Sequence, residues 1–182
     1  GVNFEVKRGE VHAICGENGA GKSTFIKILT GANEPTSGTI EFNGKEYAKL
    51  TPKQSMEIGI SVIYQEFSLI PYLSVAENIF YGREIKKGII RDIAAMEKQA
   101  KELCKEMGVD IDVHKRVCDL GIAYQQIVEI LKAESKKSEF IIMDEPTAPL
   151  TVKETAVFFK IIQKLKQDHV TIIFISHRLE EV

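Results

Sequence analysis

The chain has 182 residues, 44% of them hydrophobic and 27% charged, which suits one domain with its own core and rules out a small disulfide-stapled module. Its 24 basic residues against 26 acidic ones give a formal charge of −2, so no basic excess exists to neutralise a run of phosphates and no nucleic acid is expected as a partner. The longest apolar runs, 140–143 and 172–175, are strand-length and far short of the ~20 residues that span a bilayer.

In chain order, the first residue is Gly1, with no initiator Met and no charged-then-apolar leader, and a strand pattern already covers 2–6. A second strand is expected over 11–15, followed by a glycine-rich turn and a helix through 25–29. Strands follow over 39–43 and 60–64, with a helix start between them at Thr51-Pro52, a cap with proline in the first helical position. From 71 to 135 the chain is rich in Lys, Glu and Ala, opens a helix at the capping box Ser74-Val75-Ala76-Glu77, and continues as one amphipathic helix over 91–107. Strands over 139–144 and 170–175 flank a helix that begins at a second capping box, Thr151-Val152-Lys153-Glu154. That helix carries Val157, Phe158, Ile161, Ile162 and Leu165 on one face, a core stripe. The last residues, Arg178 to Val182, begin what reads as another helix, and the chain is expected to be a piece of a longer one.

Strands alternating with helices predict an α/β fold with a mainly parallel sheet covered on both faces. On this pattern 1–70 and 136–182 form the α/β core, and 71–135 is an inserted α-helical subdomain. Cys15, Cys104 and Cys118 have no metal-ligand spacing and stand in apolar or helical contexts, which predicts a reducing, cytoplasmic setting.

The strongest chemical signal is Gly16-Glu17-Asn18-Gly19-Ala20-Gly21-Lys22-Ser23-Thr24, which satisfies GxxxxGK[ST] between a strand and a helix. Glycines let successive backbone N–H groups converge on an anionic phosphate, and the helix N-terminus adds partial positive charge. In this pattern Lys22 reaches the β and γ phosphates of a nucleotide and the Ser23 hydroxyl ligates Mg²⁺. The strand over 139–144 ends in Asp144 and Glu145, where an open α/β sheet presents its ligand-facing edge. Asp144 is expected to help hold Mg²⁺, and Glu145 to polarise an attacking water. Gln65 and His177 each follow a strand end at the same expected edge, within reach of the γ-phosphate and its water. His12, His114 and His169 receive no chemical role.

Together these residues resemble the ATPase subunits of ABC transporters, over essentially the whole chain. The phosphate loop is similar to their Walker A motif, Gln65 to the Q-loop, Asp144-Glu145 to Walker B with its catalytic glutamate, Ala148-Pro149-Leu150-Thr151 to the D-loop, and His177 to the switch histidine. Finer wording over 16–31, 73–80 and 145–151 looks like the monosaccharide importers of the ribose, galactose, xylose and arabinose type. In that group two ATPase halves are usually fused, and the intact Lys22 and Ser23 look like the first half.

The resemblance implies a P-loop core that lacks both ends of the family domain. It implies ATP and Mg²⁺ as cofactors, with Glu145, His177, Gln65 and Lys22 catalytic and Ser23, Gln65 and Asp144 around the metal. It also implies a second ATPase domain, transmembrane permease subunits and an extracytoplasmic sugar-binding protein as partners, and a peripheral place on the cytoplasmic face of the membrane.

One motif departs from the family. The LSGGQ-like signature falls on Leu120-Gly121-Ile122-Ala123-Tyr124, with glycine where the family has serine and tyrosine where glutamine is usual. A hydroxyl donor to the opposite γ-phosphate is missing there, although glycine still suits a helix N-cap. The run Leu69-Ile70-Pro71-Tyr72-Leu73 is either the partner-facing surface or ordinary insertion core. The first functional expectation is a MgATP-hydrolysing subunit that powers sugar import. The alternatives are a nucleotide-holding regulatory or structural module with little turnover, and a soluble ABC ATPase outside transport.

Overall fold

The computed structural model describes residues 2–17 and 19–182. Its centre is a pair of strands rich in β-branched and aromatic residues, β7 (Phe140–Asp144) and β8 (Thr171–Ser176), buried on both faces. Such near-continuous apolar runs belong to parallel sheets covered on both sides. With β1 (Val11–Cys15) and β4 (Ile60–Ile63) they form a four-stranded parallel sheet in the order β1-β8-β7-β4.

Alternation along these strands divides the core in two. Ile141, Met143, Ile172 and Phe174 face one cluster, while Ile142, Ile173 and Ile175 face another that includes Ile26 and Leu50. Burying an isoleucine of this kind stabilises the fold by roughly 1.5–3 kcal/mol.

On the Ile26 side lie α1 (Lys22–Leu29), a hairpin of β2 (Ile40–Phe42) and β3 (Lys45–Tyr47), and α2 (Pro52–Glu57). The strand expected over 39–43 is thus half of a hairpin. Asn43 and Gly44 make its two-residue turn with φ of 50° and 75°.

On the other side a helical segment contains α3 (Val75–Ile79), a short hairpin of β5 (Lys86–Lys87) and β6 (Ile90–Arg91), α4 (Ile93–Glu106) and α5 (Ile122–Glu134). It shares one hydrophobic cluster with the sheet and with α6 (Val152–Gln167), from Val75 and Met96 through Ile127 and Leu131 to Met143 and Leu165.

Each expected cap is present. Thr51, Ser74 and Thr151 each accept from the backbone N–H three residues on, and Gln54, Glu77 and Glu154 answer as reciprocal acceptors. The expected helix over 91–107 is α4, capped by Asp92, which accepts from Ala95 N–H at 3.0 Å. The final expected helix is a single 3-10 turn, Leu179–Glu181.

The expected strand over 2–6 is not one. A strand needs a ladder, and among the described residues this extended segment has none; it is held by Phe4, whose ring lies 5.2 Å from Phe25 and 5.5 Å from His12. The run 69–73 divides as well: Leu69 packs against the core, whereas Tyr72 is 77% exposed. Cys15, Cys104 and Cys118 are free thiols. Among the described residues no helix is long and apolar enough to cross a membrane.

Candidate functional site

Because the four sheet strands are parallel, all end at one edge, and each leads a polar residue to it. β1 runs into the glycine loop, β4 is followed by Gln65, β7 ends on Asp144 with Glu145 next, and β8 is followed by His177. Gly19, Gly21, Lys22, Ser23, Thr24, Gln65, Asp144 and Glu145 line one cleft of about 210 Å³. Residues from three separate parts of the chain are thereby brought together, while His177, which follows β8, reaches the site through its contact with Glu145 and not as part of the cleft lining. Asn18, expected in the same loop, lies outside the described residues.

The loop's conformation follows from its glycines. Gly19 and Gly21 have φ of 86° and 95°, a left-handed region that costs an L-residue roughly 1–2 kcal/mol. Gly21 is also the N-cap of α1, with no side chain to occupy the N–H groups of the first turn. Among the described residues, the first of these with a backbone acceptor is that of Phe25, which donates to the Gly21 carbonyl at 2.9 Å. Lys22 closes the loop from above, its Nζ donating to the carbonyls of Gly16 at 2.6 Å and Glu17 at 3.0 Å. Gly16 and Glu17 therefore meet the lysine rather than line the cleft, and the Ala20 N–H turns back to the Glu17 carbonyl at 3.2 Å. A concave set of N–H donors with a lysine over it fits a polyphosphate.

The carboxylates stand opposite. Burial holds the Asp144 carboxyl above its ordinary range, the neighbouring Glu145 charge adds to this, and Lys22 opposes it. A half-buried acid held uneasily ionised, with the Ser23 hydroxyl in the same cleft, is the oxygen set that a hard divalent cation takes. The sign of the effect gives a first prediction. A raised folded-state pKa means that stability falls as pH rises from the ordinary aspartate value through the raised one. Asp144→Asn should therefore raise the melting temperature of the nucleotide-free protein at neutral pH, with the gain vanishing in acid. It should also weaken the further rise that Mg²⁺ adds in the presence of ATP. A melting temperature unchanged or lowered across the whole pH range would show that the charge is not strained.

Glu145 is the unusual residue of the site. Its φ is 48°, rare for a side chain of this size, and the backbone is held there from both sides. Its N–H donates to the Ile175 carbonyl at 2.9 Å, and its own carbonyl accepts from Ala148 N–H at 3.2 Å. The carboxylate is 14% exposed and lies 3.0 Å from His177 Nδ1, whose ring is 54% exposed. The imidazole and the carboxylate are thus within ion-pair distance, so the two side chains following β7 and β8 meet at the edge of the sheet.

Gly121, singled out for its departure, is the N-cap of α5 with φ −63° and ψ 155°, and makes no side-chain cap. A Cβ built there would meet nothing within 4 Å.

Sequence reasoning missed Glu181, which it assigned only to a helix start. Its carboxylate accepts from the hydroxyls of Thr147 at 2.7 Å and Ser176 at 2.8 Å, and so touches both loops that carry Glu145 and His177. No local spacing could have found it, because the contact depends on β7 and β8 being neighbours in the sheet.

A family model described as ABC transporter matches residues 1–148. The ribose import ATP-binding protein RbsA 1 of Rubrobacter xylanophilus is 48% identical over 182 residues, which is all of this chain and 36% of that protein. The chain thus spans about a third of the length of such a curated relative. Among solved structures, a nucleotide-free ATP-binding cassette from an ABC transporter covers the whole chain with a TM-score of 0.87 and 26% identity, over 76% of its own length. A dimeric cassette, MJ0796, bound to ADP and Pi after hydrolysis, covers 99% of this chain and 80% of its own with a TM-score of 0.80 and 26% identity.

Proposed function

Because the chain belongs to the ABC transporter family, we propose that it is the ATP-binding and ATP-hydrolysing part of a monosaccharide importer. The observation that carries this reading is the convergence of Lys22, Ser23, Gln65, Asp144 and Glu145 on one cleft, with His177 against the Glu145 carboxylate. In it, the loop N–H groups and Lys22 hold the β and γ phosphates, while Ser23, Asp144 and Gln65 take the Mg²⁺ side. When bound, Mg²⁺ would supply neutralisation of phosphate charge. Glu145 accepts a proton from the attacking water, whose oxygen bonds to the γ-phosphorus as the bond to the β-phosphate oxygen breaks. His177 keeps the carboxylate aimed and offers Nε2 to the departing phosphoryl group.

The partners follow from the same reading. A second cassette is supported by the dimeric relative, and a fused second half by the length of the ribose-import relative. The segment 71–135 serves as a helical subdomain that carries the Gly121 signature to the other cassette's ATP, and core segments 1–70 and 136–182 bind this chain's own. Permease subunits in the membrane, and through them an extracytoplasmic sugar-binding protein, complete the system. The chain works peripherally on the cytoplasmic face.

Gly121→Ser tests the altered signature. Serine is the better N-cap by a few tenths of a kcal/mol, and the space beside Gly121 is open, so the variant should melt slightly higher. Its turnover should be unchanged or raised. A fall in turnover would mean that glycine is already suited to an active composite site. The reading as a whole is tested by steady-state MgATP hydrolysis and labelled-sugar uptake by the intact protein with its membrane partners. Tight ATP binding without turnover in that assembly would make the chain a nucleotide-holding regulatory module instead.

A further inference from the structure

We infer that Glu181 is a positioning residue that holds the Glu145 and His177 loops in register, an inference that rests on the ATPase reading above. Glu181 does not line the nucleotide cleft, yet its side chain is only 7% exposed. A carboxylate so buried must be answered by donors, and it has three. Its Oε2 accepts from Thr147 Oγ1 at 2.7 Å and from Ser176 Oγ at 2.8 Å, and its Oε1 lies 3.3 Å from Arg178 Nη1.

Those donors are the residues that matter for aim. Thr147 stands two places after Glu145, and Ser176 immediately precedes His177. Arg178 adds a second layer, with Nη2 donating to the Ala148 carbonyl at 3.2 Å and Nη1 reaching the Thr147 carbonyl at 3.5 Å. The Ser176 hydroxyl also accepts from the Arg178 N–H at 3.0 Å, which turns the chain just past His177.

The need for such a clamp follows from exposure. The His177 ring is 54% exposed and so is not fixed by packing, while Glu145 sits in a left-handed backbone conformation that relaxes unless held. A contact of 3.0 Å between two such groups persists only if their loops are tied to each other. Beyond the last rung of the sheet, where Glu145 N–H meets the Ile175 carbonyl, Glu181 and Arg178 supply the side-chain ties between the loops among the described residues.

The test compares Glu181→Ala, Glu181→Gln and Thr147→Val with wild type in the intact protein. Glu181→Ala should lower kcat about 10- to 100-fold, the usual cost of losing a buried partner of a functional group, with KM for ATP held within about twofold. Glu181→Gln keeps an acceptor oxygen for both hydroxyls and should recover most of the rate. Thr147→Val should reproduce part of the loss with the carboxylate intact, so the conclusion survives even where the alanine variant folds poorly. The readout that a merely structural residue would not move is the His177 imidazole NMR signal, assigned with His177→Gln. In Glu181→Ala it should shift and broaden while the other histidine signals stay.

Because that signal needs no turnover, it decides the positioning role even where wild type proves inactive and the ATPase reading itself falls. An unmoved His177 signal, or a loss of rate matched by an equal loss of ATP affinity and of stability, would overturn the inference.

Discussion

If Glu145 is the proton acceptor of the proposed ATPase, Glu145→Gln should lower kcat for ATP hydrolysis by about 1,000-fold and leave the affinity for ATP nearly unchanged, because the substitution removes a proton acceptor without changing shape. Its carboxylate is one of two at the cleft, and on the proposed reading the two have different tasks. Asp144 is pushed towards its neutral form by burial and by the Glu145 charge, which suits a group waiting for a cation. Glu145 meets an imidazole at 3.0 Å and lines the same cleft as Lys22 and Ser23. Glutamine at 145 could still contact His177 but could not take the water's proton, so the ATP-bound state should accumulate. Equilibrium ATP binding and single-turnover hydrolysis on the same preparation separate the two effects. A fall of less than tenfold would move the proton acceptor elsewhere, and a parallel collapse of ATP affinity would make Glu145 a binding residue.

The parts of this site that were legible in the sequence are those whose chemistry is written in short spacings. A phosphate loop needs its glycines, its lysine and its hydroxyl within nine residues, so Gly16 through Thr24 announce themselves. Asp144, Glu145 and His177 were legible for a different reason: buried parallel strands are β-branched runs, and ligand-facing residues follow their ends. The caps at Thr51, Ser74 and Thr151 are local in the same way.

What was not legible depends on partners distant in the chain. The segment over 2–6 alternates like a strand but finds no ladder among the described residues, so pattern alone misassigned it. The turn at Asn43-Gly44 was a local signal that should have added a second strand after the expected one, since both residues readily take positive φ. Glu181 was out of reach, because its meaning comes from Thr147 and Ser176 being brought together by sheet order.

Gly31→Ala should destabilise the domain by about 3 kcal/mol, the largest effect expected from a single methyl group in this fold. Gly31 follows the C-terminal end of α1 with φ 73°, and its N–H donates to the Ile28 carbonyl at 3.1 Å, closing the helix. Adopting this conformation costs alanine roughly 1 kcal/mol. The larger cost is steric, because a Cβ there would lie 2.4 Å from the Thr51 carbonyl carbon and 2.7 Å from the Pro52 nitrogen. These are backbone atoms of the capping box that starts α2, and no rotamer change relieves them.

Gly44→Ala separates the two costs, since Gly44 has φ 75° but a Cβ there meets nothing within 4 Å. It should lose only the conformational part, so the difference between the two variants in urea unfolding measures the clash, about 2 kcal/mol. The functional consequence runs back along α1, whose first turn is the phosphate loop's Lys22, Ser23 and Thr24. Moving the helix away from α2 at one end displaces those groups at the other, so ATP affinity should fall in Gly31→Ala and stay unchanged in Gly44→Ala. Equal destabilisation of the two variants would show that α1 and α2 separate freely, and that the close approach at Gly31 does not hold the phosphate loop in place.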